Sequence, residues 1–233
     1  MKQYNKRFFI PALLAASFLT FSCSEDDPEP IKEGIEKASL IFTALSGGED
    51  LSAHGDHFHG IASATEGEAV TVEFDAEGNA VSGGHLHLVP ETIYKVELQA
   101  WDYQGNRVEG EYTKDKATAD KYKAFIQGGD FVLNTETTDE SGAIFQPRDQ
   151  NYGDGTEVGG KYETTGILSY FTVGESNEGE LDVTFVLRQL NSADTKATIE
   201  RIDWNLSDYA TKFPGTNVLE LDFEIHAEHG HDH

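Results

Sequence analysis

The nine histidines of the chain are not scattered. His54, His57, His59, His85 and His87 lie within one stretch, and His226, His229, His231 and His233 within the last eight residues. None occurs from 88 to 225. Neutral imidazole ligates zinc and copper(II), so the clusters point to a bound divalent transition metal. The spacing adds geometry. His57-Phe58-His59 and His85-Leu86-His87 both read H-x-H. In a β-strand, residues i and i+2 share a face, about 6.6 Å apart along the chain. Each pair would therefore present both imidazoles on one side, with Phe58 or Leu86 on the other. Two such strands side by side would bring His57, His59, His85 and His87 to one ion, and that is the ordered site the spacing predicts. Zinc, which takes four ligands, is the first choice; copper is second and nickel third. His54 and Asp56 could add ligands. Glu220, Asp222, Glu224 and His226 share one face of the last apolar-alternating segment, and the tail from His229 is expected to act as a secondary collector.

Other chemistry finds little support. Motifs of the G-x-S-x-G, H-E-x-x-H and G-x-G-x-x-G kinds are absent. The stretch 155–162 spaces Gly155, Gly160 and Lys161 like a phosphate loop, but Tyr162 stands where a magnesium-binding hydroxyl is needed. No catalytic residue is assigned, no enzyme activity is expected, and no organic cofactor is called for. The 42 acidic residues against 17 basic ones give a formal charge of −25, without the basic footprint that nucleic-acid binding needs. A single cysteine, Cys23, excludes an internal disulfide and cysteine-based zinc fingers.

The elements that must position the histidines read as strands. Period-two alternation recurs at Leu40, Phe42 and Ala44, at Val70, Val72 and Phe74, and at Tyr94, Val96, Leu98 and Ala100. It returns at Leu181, Val183, Phe185 and Leu187, and at Leu219, Leu221, Phe223 and Ile225. Polar glycine turns at 77–79, 104–106 and 178–179 separate these runs. One helix is expected, over 116–126, from the stripe Ala119, Tyr122 and Ile126. The fold class is all-β, an antiparallel sandwich with at most one short helix. It spans 36–227 as one domain, or as two small sandwiches split near residue 114, with a His-rich tail at 228–233.

The N-terminus reads as an address. Lys2, Lys6 and Arg7 precede an apolar run over 8–21, too short for the roughly 20 residues that span a bilayer. This is a secretory signal. It closes on Leu19-Thr20-Phe21-Ser22-Cys23, which resembles a bacterial lipoprotein cleavage site. Residues 1–22 would be removed and Cys23 lipidated, anchoring the protein through a flexible acidic tether over 23–35. The acids directly after Cys23 resemble the surface-export signal of Bacteroidota lipoproteins; exposure on the periplasmic face is the alternative.

Two resemblances extend this reading. The run Leu88-Val89-Pro90-Glu91-Thr92-Ile93-Tyr94-Lys95-Val96, followed by Asp102-Tyr103-Gln104-Gly105-Asn106, resembles the tyrosine corner of fibronectin type III and Ig-like domains. There the hydroxyl bonds to upstream backbone. The tethered start, the strand over 38–45, this corner, the loop over 149–160 and the strand over 179–187 together resemble small Bacteroidota surface lipoproteins, often associated with TonB-dependent receptors. That resemblance implies an outer-membrane, cell-surface protein that captures an ion or metal complex and hands it to such a receptor. The competing readings are a haem-binding lipoprotein, with histidine as axial ligand, and a structural or adhesive sandwich with incidental histidines.

Overall fold

Alternating side chains sort into inward and outward faces along nearly every strand. The computed structural model describes residues 32–48 and 50–229. The signal segment, Cys23, the tether up to residue 31, His231 and His233 lie outside the described residues. Along the first half run β1 (Ile35–Ser46), β2 (Ser52–His54), β3 (His57–His59), β4 (Thr65–Phe74), β5 (Ala80–Ser82), β6 (His85–Leu88) and β7 (Tyr94–Asp102). The second half supplies β8 (Tyr122–Gly128), β9 (Ile144–Pro147), β10 (Leu168–Thr172), β11 (Gly179–Leu190) and β12 (Gly215–Ala227).

Ten of these strands build two facing sheets, ordered β5-β4-β1-β7-β10-β9 and β6-β12-β11-β8. Every pairing is antiparallel except that of β6 with β12, which is parallel. The core lies between the sheets. Phe42, Phe74, Leu98, Phe145 and Phe171 of one meet Leu86, Leu88, Ile126, Phe185, Leu221 and Ile225 of the other. Burying side chains of this size contributes about 1.5–3 kcal/mol each. Both sheets draw strands from either side of residue 114, so the alternative of two sandwiches split there is not what the chain adopts.

Each outer face is partly covered. The β2–β3 hairpin lies on the six-stranded sheet, where Phe58 packs with Leu45, Ile93, Ile144 and Tyr170. Residues 199–213 lie on the four-stranded sheet, where Ile199 and Phe213 cover Phe125, Val186 and Leu190. The outer face at β12 and β6 stays open, with Asp222, Glu224, His85 and His87 pointing away from the core.

Among the described residues, helix is present only as short pieces. Three four-residue α-helices form: α1 (Lys116–Ala119), α2 (Ala193–Lys196) and α3 (Tyr209–Lys212). The helix expected over 116–126 stops at Ala119. Asp115 caps it by accepting from Thr118 N, but Tyr122 to Ile126 then pairs with β11 as a strand. Tertiary pairing overrides the weak helical stripe there. The corner motif also resolves: Val89 N donates to Tyr94 Oη at 2.9 Å, pinning the chain just after β6.

Candidate metal centre

Residues 80–88 change sheets. β5 ends at Ser82 in the six-stranded sheet, and two glycines later β6 begins at His85 in the other. Gly83 makes the crossing at φ +67, where a Cβ would meet Thr71 O at 2.3 Å, so only glycine fits. The crossing sets β6 parallel to β12, with His85 opposite Glu224 and His87 opposite His226. Paired residues on neighbouring strands share a face, about 4.8 Å apart across the ladder. Leu86, Leu88, Ile225 and Ala227 take the core side. The two histidines of β6, with Glu224 and His226, therefore form a rectangle on the open outer face.

Three ligand atoms converge within it. His85 Nδ1 lies 3.2 Å from Glu224 Oε1 and 3.2 Å from His226 Nε2. Glu224 Oε1 and His226 Nε2 are in direct contact, and all three atoms lie within 4.8 Å of one another. A tetrahedral zinc with ligands at 2.0–2.1 Å separates them by about 3.3–3.4 Å, so the two 3.2 Å edges approach those of a zinc face. His87 stands at the fourth corner. Its ring centroid is 4.9 Å from that of His226, and its Nδ1 lies 3.3 Å from Glu228 Oε1, which orients it. Burial works to raise the pKa of Glu224, but hydrogen bonds from His85 and His226 more than offset it. The carboxyl is held below its usual range and stays ionised. On β11, Glu180 pairs with His226 and Asp182 with Glu224, extending a negative field that draws cations.

The other pair builds a separate cluster. A tight turn at Gly55 (φ +54) and Asp56 folds His54 opposite His57. The ring centroids of His57 and His59 are 4.7 Å apart, with His54 5.9 Å from His57 and 5.6 Å from His59. His54 Nδ1 lies 2.6 Å from Glu140 Oε1, and His57 Nδ1 lies 2.9 Å from Asp56 Oδ1. For Asp56, burial raises the pKa and hydrogen bonds from His57 and Arg201 overcome it, so the carboxyl sits below its ordinary value.

The two H-x-H pairs do not meet. β3 pairs with β2 over the outer face of one sheet, while β6 lies within the other sheet beside β12 and turns His85 and His87 to its outer face. The single site expected from His57, His59, His85 and His87 is therefore replaced by two clusters, in which His226 joins one pair and His54 the other. His229 turns elsewhere, its Nε2 3.1 Å from Glu178 Oε1. Glu224 is the candidate ligand that the sequence placed on the right face without assigning; the E-x-H spacing with His226 was its signal. No protein-family model, no curated protein and no solved structure matches this chain.

Proposed function

We propose that the protein captures a divalent transition metal, zinc first and copper second, on the outer face of β6 and β12. His85, Glu224 and His226 would hold the ion, with His87 as the fourth ligand. The observation that supports this best is the triangle of ligand atoms, all within 4.8 Å of one another, carried on two adjacent strands. Those strands are held by the core, so little ordering entropy is lost on binding. The site is open: the His85 side chain is 74 % exposed. Openness suits loading and release more than permanent structural storage.

In this reading Cys23 carries the lipid, and the acidic tether presents the sandwich at the outer-membrane surface. A TonB-dependent receptor would take the metal onward. The cleft beside β8 and β9 is lined by His57 and His59 but also by Lys123, Arg148, Asp149 and Glu200; that charged wall favours haem little, since haem needs a broad apolar slot. The test is elemental analysis of protein purified without added metal, followed by zinc and copper titration of metal-stripped protein. One tight equivalent, abolished in His85→Ala/His226→Ala, is expected. A sandwich with incidental histidines would bind no tight equivalent and would behave identically in that variant.

A further inference from the structure

A second site with different chemistry lies at the opposite edge of the sandwich. There the edge strands β8 and β9, with the segment 201–205 beside them, border a cleft of about 660 Å³. That is the size of a small-molecule pocket. Its wall carries hydrogen-bond donors that the fold leaves unused. Gln146 is only 5 % exposed; its Oε1 accepts from Phe58 N, and its Nε2 has no acceptor. Lys123 is 6 % exposed and spends two of its three ammonium hydrogens on Thr164 O and Oγ1. Arg148 is exposed; it has one long contact, to Phe58 O at 3.5 Å, and no carboxylate partner among the described residues. The indole Nε1 of Trp204, a residue 4 % exposed, has no acceptor among the described residues.

Three acids border the same cleft, Asp149, Glu157 and Glu200; Glu157 is exposed, and the other two accept hydrogen bonds within the fold. Asp149 accepts from the backbone N–H groups of Thr165, Gly166 and Leu168. Glu200 accepts from Lys161 and from the Tyr162 hydroxyl. The chain has 42 acidic residues, yet Arg148 and Lys123 face this cleft without a bonded carboxylate. These donors open onto the cleft rather than being sealed from solvent, since the buried side-chain atom left without a partner among the described residues is Thr172 Oγ1, and a ligand's acceptors could meet them there.

We infer that this cleft binds a small organic carboxylate, with Arg148 and Lys123 meeting its charge and Gln146 donating to a further oxygen. The guanidinium fork of Arg148 matches a carboxylate bidentately. The site is independent of the metal centre: it shares no residue with the β6–β12 rectangle and lies on the far edge strands.

The test uses the full chain, metal-stripped with EDTA and labelled with ¹⁵N at its two tryptophans. Trp101→Phe identifies the Trp204 indole signal. Citrate and succinate are the probes, with inorganic phosphate and glucose as comparisons. A saturable shift of the Trp204 signal by citrate or succinate is expected. Arg148→Glu should raise its midpoint at least tenfold and Arg148→Ala by a smaller factor, each with an unchanged spectrum before titration. Lys37→Glu, the same charge change elsewhere, should leave the midpoint within twofold. No shift with either carboxylate up to 20 mM overturns the inference. So does an equal response to glucose, a response to phosphate alone, or a midpoint in Arg148→Glu within twofold of the unmodified chain. Because metal is absent throughout, none of these results depends on whether the β6–β12 site binds zinc.

Discussion

Replacing His226 by alanine removes the imidazole shared by both halves of the proposed metal site. Its Nε2 contacts Glu224 Oε1 and lies 3.2 Å from His85 Nδ1, and its ring is 4.9 Å from that of His87. Zinc held by four protein ligands gains about 10–16 kcal/mol, or roughly 2.5–4 kcal/mol per ligand. Losing one should weaken the tight equivalent by about 10²–10³-fold. The fold should tolerate the change, because position 226 faces outward from the ladder and substitutions at such positions cost about 0.5 kcal/mol or less. Competition titration of metal-stripped protein against a chromophoric chelator would read the affinity, and a thermal melt would confirm the fold. His57→Ala/His59→Ala should leave the tight equivalent intact, since that pair sits on the other outer face. If His226→Ala stays within threefold of the unmodified chain while the His57/His59 variant loses the tight equivalent, the roles given to the two clusters are reversed.

Three further outcomes follow from named contacts. Glu224→Gln keeps the size of the side chain but removes its charge, and should weaken zinc by about tenfold or more in the same titration, about 1.4 kcal/mol, because a neutral amide oxygen is a poorer ligand to a dication than a carboxylate; unchanged affinity would remove Glu224 from the ligand set. Phe58→Ala takes the anchor from beneath the β2–β3 hairpin, at a cost of up to about 3–5 kcal/mol. Its melting temperature should fall, with hydrogen exchange rising in 52–59 while the β6–β12 affinity is retained. Lys196 is buried, and burial, seconded by the nearby charge of Lys123, pushes its pKa down to about 7. In the unfolded chain it would titrate near 10.4. Between those values the unfolded state binds the extra proton, so stability rises with pH and should gain about 2 kcal/mol from pH 7 to 9 through this residue. Urea unfolding at the two pH values should show a gain that Lys196→Met reduces, leaving the smaller part that comes from Lys123, whose pKa burial lowers to about 8.

Much of the sandwich was legible because strand burial writes itself as period two. Leu40 and Phe42, Val183 and Phe185, and Leu221 and Phe223 all face the core as the alternation requires. The helix over 116–126 misled because four residues of well-capped helix run straight into an apolar segment, and periodicity cannot separate a buried strand from a helix over so short a window. The H-x-H faces were legible for the same reason as the core. Their partners were not: which strand lies beside β6 is decided by the crossing at Gly83 and by the return of β12 from more than 130 residues away. The β8–β9 cleft left no trace in the sequence. Lys123, Gln146, Arg148 and Trp204 form no motif and come together only when both edges are built.

The position of the metal centre also answers a problem of the fold. β6 is a four-residue edge strand, and its neighbour β12 is the last strand of the described chain. Short edges are easily frayed, and a parallel pairing is somewhat weaker per residue than an antiparallel one. The side chains here work against that weakness. Polar residues at 85 and 87 make the edge a poor template for another chain. Glu228 N bonds Leu88 O at 3.2 Å, and the Tyr94 hydroxyl holds Val89 just beyond the strand. An ion bound by His85 from one strand and by Glu224 and His226 from the other would cross-link residues roughly 140 positions apart. Its binding free energy would then add directly to the stability of the paired state, as RT ln(1 + [L]/Kd). In the proposed site, capture and closure of this edge would be the same event: the ligands would be assembled only when β6 lies on β12, and the ion would hold it there.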